Sequence, residues 1–371
     1  HHPGGTRCPY REPPWDFGPG VLAILKLVSL DQTIQYRCPA CENPIPHAMS
    51  VLPPAWRIGA SLPSASWETL FACPACHTVY SAVHGLPCLM VEGDLRTAEP
   101  FLRHYETVRD GEGSPLPLEI VRGLPELPPN SYPREMTTLW RRRRQAYERL
   151  ITSMRWRAST GGASLKVLDL GAGNGWLSWR LHGLGHQVVA TDICLSPHHG
   201  LGMARRVAGT QGMVGDEPRF ICVQASMERL PFVDQQFDLV IAAASLHYAR
   251  SITRAVREAA RVLIPGGALI LIYTPIYETT RAGVTVVARR LAEQRTRFGS
   301  EGGGTAGQGF LVRADLRRTF HLAGLRYQEI AVHGALRATA GGFRRWVRRA
   351  RHRRESAIMP LVLGEKEGGP C

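Results

Sequence analysis

The chain has no apolar run long enough to cross a membrane. Its longest early apolar stretch, Val21 to Leu30, is short and contains Lys26, whereas a spanning helix takes roughly 20 apolar residues. No secretory leader pattern opens it, and a cytoplasmic protein is expected. Acidic residues are scarce, 31 against 45 Lys and Arg, and the shortage is local. Residues 1–135 hold 10 Lys and Arg against 14 Asp and Glu, so the whole-chain charge of +14 leaves +18 on residues 136–371. Such asymmetry fits an acidic partner, either nucleic acid or an anionic membrane surface, and it equally fits plain solubility. Cys8, Cys88, Cys194, Cys222 and Cys371 show no pairing logic and read as small buried hydrophobes or inert termini. One further absence is local: a dinucleotide-type glycine turn needs glycine at position 176, and Trp176 stands there.

What is present is best read from Lys166-Val-Leu-Asp-Leu-Gly-Ala-Gly-Asn-Gly-Trp-Leu177. The apolar run Lys166 to Leu170 is a buried strand. Gly171, Gly173 and Gly175 then form a tight turn in which a ligand can touch the main chain. Leu177 and Leu181 recur at helical spacing. Asp169 at the strand tip suits a ligand carrying positive charge, not one carrying phosphates.

Two near-identical pairs, Cys38-Pro-Ala-Cys41 and Cys73-Pro-Ala-Cys76, each point two thiolates at one place. Together they are expected to make a tetrahedral four-cysteine shell suited to a structural Zn2+; disulfides are the competing reading, disfavoured by a cytoplasmic setting and by the doubled pattern. His77 follows directly and is read as a bystander. Val51 to Pro63, between the pairs, is expected to protrude as a loop. The rest divides by composition. Residues 1–109 are expected to form a zinc-ribbon domain with an N-terminal extension. Residues 110–135, rich in Pro, Gly and Glu, are expected to be a stiff, extended linker, and residues 136–371 a second, basic domain that holds the glycine turn. A helix is predicted over about 136–154, with Arg141 to Arg144 on or beside its solvated face. Another is predicted over 343–354, docking by Phe343, Trp346, Val347 and Ala350 and carrying arginines elsewhere. That basic helix could grip RNA phosphates or an anionic membrane surface.

The glycine turn and its acid resemble the first motif of the class I S-adenosylmethionine-dependent methyltransferases, and four further motifs follow in register. Gln187-Val-Val-Ala-Thr-Asp192 resembles the second strand, and Phe220 to Phe232 the third strand and adenine turn. Phe237 to Ala244 resembles the fourth strand, and Arg261 to Tyr273 the glycine turn and fifth strand. The resemblance implies an α/β fold, a seven-stranded doubly wound Rossmann-like sheet beside a small N-terminal zinc ribbon. It also implies S-adenosylmethionine as cofactor. Asp169 would attract the cofactor's amino group, and Gly171, Ala172, Gly173 and Gly175 would close over it. Asp192, with Ile193, would take the ribose hydroxyls. Ser226 and Met227 would meet adenine, where the family usually has Asp or Asn in place of Ser226. Ala243 completes the set. Ala244-Ser-Leu-His-Tyr248 is similar to the motif of the ubiquinone and menaquinone biosynthesis methyltransferases, which nominates His247, Tyr248, Tyr273 and Tyr277 as residues at the reacting end.

The expected activity is therefore methyl transfer to a small-molecule or lipid-like acceptor. Domain order also resembles that of the zinc-bearing ribosomal RNA guanine methyltransferases, which keeps RNA methylation as an alternative. A non-catalytic cofactor-binding scaffold is a third.

Overall fold

The computed structural model describes residues 34–45, 67–83, 86–112, 115–161, 164–209, 219–299, 307–332 and 357–367. The loop expected over 51–63 and the basic helix expected over 343–354 lie outside them. From the N-terminal side come β1 (Tyr36–Arg37), β2 (Pro44–Ile45), β3 (Trp67–Ala72), β4 (Val79–Val83) and β5 (Leu86–Cys88). Three helices follow, α1 (Glu92–Gly111), α2 (Leu118–Gly123) and α3 (Arg134–Gly161). Strands and helices then alternate: β6 (Lys166–Leu170), α4 (Trp176–Gly183), β7 (Gln187–Asp192), α5 (Leu201–Ala208), β8 (Ile221–Gln224), β9 (Phe237–Ala243), α6 (Ile252–Val262) and β10 (Leu263–Ile272). The chain ends with β11 (Ile276–Tyr277), α7 (Thr280–Phe298), β12 (Leu311–Val312), α8 (Arg313–Leu322), β13 (Leu325–Ile330) and β14 (Leu361–Lys366).

The main sheet runs β13-β14-β10-β9-β6-β7-β8-β5-β4-β3. β6 to β10 pair in parallel, and β14 is antiparallel to both β10 and β13. Their apolar runs are near-continuous because helices cover both faces: in β9 and β10, Leu239 to Ala242 and Ala268 to Ile272 are almost wholly buried. Helix α6 shows why the chain folds locally as it does. Ser251 caps it by accepting from the Arg254 amide, and Ala255, Val256, Ala259 and Val262 form its buried stripe. The expected seven strands are present. The last of them, β14, begins at Leu361, and Ile358 just before it forms an antiparallel bridge to Ile276.

Two features of organisation go beyond the expectation. Among the described residues, the N-terminal strands β3 to β5 do not stand apart from the sheet. β5 pairs in parallel with β8, so β5, β4 and β3 continue the seven strands into a sheet of ten. One apolar core joins Ile34, Tyr36, Tyr80 and Leu89 to Leu170, Val223 and Phe232. Nor is 110–135 a bare connector. It holds α2, whose Val121 is fully buried with the following Leu124. Arg122 donates to the Val207 carbonyl (3.1 Å), tying α2 to the end of α5. The proline-rich composition was a poor guide here because two apolar side chains suffice to dock a short helix.

Candidate active site

The parallel strands end at one edge of the sheet, and the glycine turn after β6 lies there. Gly171, Gly173 and Gly175 have φ of +75°, +56° and +77°, a region that costs other residues energy. The Gly171 and Ala172 amides donate to the Thr191 carbonyl (2.8 and 2.9 Å), tying the turn to β7. A Cβ at Gly171 would lie 2.4 Å from the Ser245 Cβ, whereas at Gly173 the nearest atom is the His199 carbonyl oxygen at 3.4 Å. Gly173→Ala is therefore expected to cost about 1–2 kcal/mol, the left-handed penalty alone. Thermal unfolding of the variant measures it.

Asp192 closes β7 and braces that turn. One carboxylate oxygen accepts from the Gly173 amide and the other from the Cys194 amide, both at 2.8 Å. Burial pushes its pKa up, and these amides pull it back. Asp169 is also buried. One oxygen accepts from the Ser178 hydroxyl (2.7 Å), and the other has no hydrogen-bond partner among the described residues. With that poor solvation its pKa rises to about 7.

A cavity of about 930 Å3 opens over the turn. Gly171, Ala172, Gly173, Asp192, Ile193, Ser226, Met227 and Ala243 all line it, as do Tyr248 and Tyr273. Asp169 and Gly175 do not: the first is beneath the turn, the second serves as the residue before α4. Two of the four residues expected at the reacting end are displaced. His247 is buried off the cavity, its ring against Tyr248 (4.2 Å between centroids). Burial, then Arg290 and Arg109, depress it to about 3, so it stays neutral at ordinary pH. Tyr277 packs edge-on to Phe310 in a separate cluster. For His247 periodicity cannot see this, because successive residues of a 3-10 turn (Leu246–Tyr248) are set about 120° apart, and the packing around the turn decides which of them reaches the cavity.

The roof of the cavity was missed from sequence. Asp94, Ala98, Phe101, Tyr105, Arg109 and Glu112 of α1 and its end form one face over it. Their spacing of three or four residues is a helical stripe, legible once 92–112 is taken as a helix and not as part of a ribbon. From α3 come Trp140 and Arg143. Arg143 is the correction to the solvated-face reading of Arg141 to Arg144: its guanidinium carbon is 4.5 Å from the Trp140 ring centre and 5.2 Å from that of Tyr273.

The four cysteines of the two pairs come together. Their sulfurs all lie within 4.8 Å of one another, with Cys38–Cys76 and Cys41–Cys73 at 3.6 Å. Those distances exceed a disulfide bond of about 2.05 Å and approximate the ~3.8 Å edge of a tetrahedron with Zn–S of ~2.3 Å. The knuckles are built alike. The Glu42 amide donates to the Cys38 carbonyl and the His77 amide to that of Cys73 (both 2.8 Å), with Glu42 and His77 at φ of +65° and +59°. Burial pushes the Cys38 thiol up to about 12, whereas hydrogen bonds from Asn43 hold the Cys41 thiol down at about 6. This knuckle touches the cavity wall through Arg229, which donates to the Pro39 carbonyl (2.9 Å) and pairs with Asp94 (3.4 Å).

Residues 168–271 match a family model described as a methyltransferase domain. The chain is 38% identical over 118 residues to the ubiquinone/menaquinone biosynthesis C-methyltransferase of Psychromonas ingrahamii, covering 30% of this chain and 45% of that protein. It is 34% identical over 127 residues to the malonyl-[acyl-carrier protein] O-methyltransferase of Erwinia pyrifoliae, covering 34% and 42%. The chain thus spans less than half the length of these curated relatives. Among solved structures, the YcgJ protein from Bacillus subtilis aligns over 58% of this chain and 98% of its own, with 18% identity and a TM-score of 0.40.

Proposed function

We propose that this chain, which carries a class I S-adenosylmethionine-dependent methyltransferase domain, methylates a small or lipid-like acceptor held in the cavity under α1. The observation that carries the reading is the character of that cavity. Phe101, Tyr105, Trp140, Tyr248 and Tyr273 line it together with the glycine turn and Asp192. Ligand pockets for small molecules are of this size and mostly apolar, with a few polar groups that orient.

S-adenosylmethionine supplies a methyl group already activated on a positively charged sulfur. The protein's task is then alignment, worth up to roughly 7–11 kcal/mol of barrier. Gly171, Ala172 and Gly173 present main chain to the cofactor. Asp192 has lone pairs left after its two amide contacts and takes the ribose hydroxyls. Ser226 and Met227 meet adenine, and Ile193 and Ala243 pack beside it. Asp169 acts from beneath, its unpartnered oxygen reaching the amino group through the turn or a water. Tyr248 and Tyr273 face the acceptor. The cluster of four cysteines fits Zn2+ in a closed, structural site.

His247 is not the general base in this reading, since it neither reaches the cavity nor holds a proton-accepting role near neutral pH. His247→Asn is expected to leave the pH dependence of turnover unchanged between pH 6 and 8, whatever it does to stability. Loss of an ionisation from the rate profile would restore His247 to the mechanism.

The test of the function is transfer of labelled methyl from S-adenosylmethionine to a metabolite and lipid extract, set against total RNA. Label is expected in the extract. Label confined to RNA would reject the small acceptor.

A further inference from the structure

A purine's exocyclic amino group needs an acceptor when it leaves water, because an unpaired donor weakens binding. In the turn placed at adenine, the Ser226 hydroxyl oxygen already accepts from the Glu228 amide (3.2 Å). It braces a tight turn, closed by the Arg229 amide donating to the Ser226 carbonyl (3.1 Å). Two carboxylates of the cavity wall are joined to that turn, Glu228 and Asp94. Glu228 is engaged: it accepts the Arg250 amide (2.6 Å) and ties the turn to the segment after Tyr248.

Asp94 comes from the roof, on the first turn of α1. Met90 and Leu95 pack with Ile193, which sets that turn of α1 against the residue after Asp192. Arg229 completes the link. Its guanidinium pairs with Asp94 (3.4 Å) and donates to the Pro39 carbonyl (2.9 Å). The adenine turn thus holds Asp94 beside it by a side chain three residues from Ser226. Only Oδ2 of Asp94 faces Arg229, and among the described residues no hydrogen bond engages Oδ1. An acidic residue in a first turn also answers the helix dipole. Glu92 meets that demand outside the cavity wall, whereas Asp94 lines the cavity.

We propose that Asp94 accepts from the exocyclic amino group of the cofactor's adenine, so that α1 sets the specificity for the base. This rests on the cofactor binding with its base at Ser226 and Met227. Ser226 then borders the base and shapes the turn, while the carboxylate across from it supplies the acceptor. Arg229 keeps that carboxylate in place without occupying both of its oxygens. A base lacking the amino group leaves Oδ1 without a donor and binds more weakly.

The test uses the full chain and isothermal titration with two probes, S-adenosylhomocysteine and its 6-deamino counterpart, which has hydrogen in place of the amino group. The native chain is expected to bind the first about tenfold tighter or better, the size of one hydrogen bond to a charged group. Asp94→Ala binds the two alike. Asp94→Asn, nearly equal in shape and still an acceptor, keeps part of the preference and serves if the alanine variant does not fold. Ser226→Ala and Glu228→Ala keep the preference, whatever they do to affinity. Equal binding of the two probes by the native chain overturns the proposal. So does a preference that survives in Asp94→Ala beside a lowered melting temperature, the mark of a helix-dipole role alone. A preference undiminished in Asp94→Asn, or lost in Ser226→Ala or Glu228→Ala, also overturns it. Failure of the native chain to bind S-adenosylhomocysteine at all rejects the methyltransferase reading itself, whereas binding without preference rejects only the role of Asp94.

Discussion

Replacing Cys73 and Cys76 by Ser is expected to release about one Zn2+ per chain and to destabilise the whole protein, not a detached module. A structural zinc contributes on the order of 10–16 kcal/mol of apparent binding free energy. Even a fraction of that exceeds the usual effect of a point substitution. The loss spreads because β3, β4 and β5 belong to the same sheet as β8, and Tyr36 and Tyr80 to the same core as Phe232. It also reaches the cavity. The Pro39 carbonyl between Cys38 and Cys41 holds Arg229, three residues from Ser226. Cofactor affinity should therefore fall by about 1 kcal/mol, the net value of one hydrogen bond. Elemental analysis reads the metal, thermal unfolding the stability and isothermal titration the affinity. Native protein without zinc, or an unchanged melting temperature in the double variant, would reject the metal's structural role.

Asp192→Ala is expected to weaken S-adenosylmethionine binding by about 1.5–3 kcal/mol, the range for hydrogen bonds to a charged group, or roughly 10- to 150-fold. The same change orphans the Gly173 and Cys194 amides, so the turn itself loosens. Asp192→Asn keeps one acceptor oxygen and should fall between the two. Isothermal titration of the folded variants separates them. Unchanged affinity in Asp192→Ala would remove this carboxylate from the cofactor site.

Local signals carried much of the site. Lys166 to Trp176 is legible because a buried strand, a left-handed glycine turn and a helix each impose their own residue types over a few positions. Gly171, Gly173, Asp192, Ser226 and Met227, all read from such local motifs, line one cavity at the sheet edge. The Cys pairs are legible because each knuckle is a local turn, and the four sulfurs converge as their spacing implies. His247 and Tyr277 were misplaced for the opposite reason. Which way a side chain points in the short segments beyond a sheet strand depends on what packs behind it. For His247 that is Tyr248, and for Tyr277 it is Phe310.

By itself, then, the sequence determined the strand-turn-helix unit, the order of the parallel strands' motifs and the metal-type cysteine pairs, since all of these are properties of neighbours along the chain. Only the tertiary structure decided that the N-terminal strands join the main sheet, that 110–135 docks as a helix, and that α1 and α3 bring Arg109 and Arg143 over one cavity. Those residues lie far from the glycine turn in sequence. Their meeting depends on burial of α1 against the segment after β7 and of α3 against the sheet, a summed apolar energy that no single motif encodes.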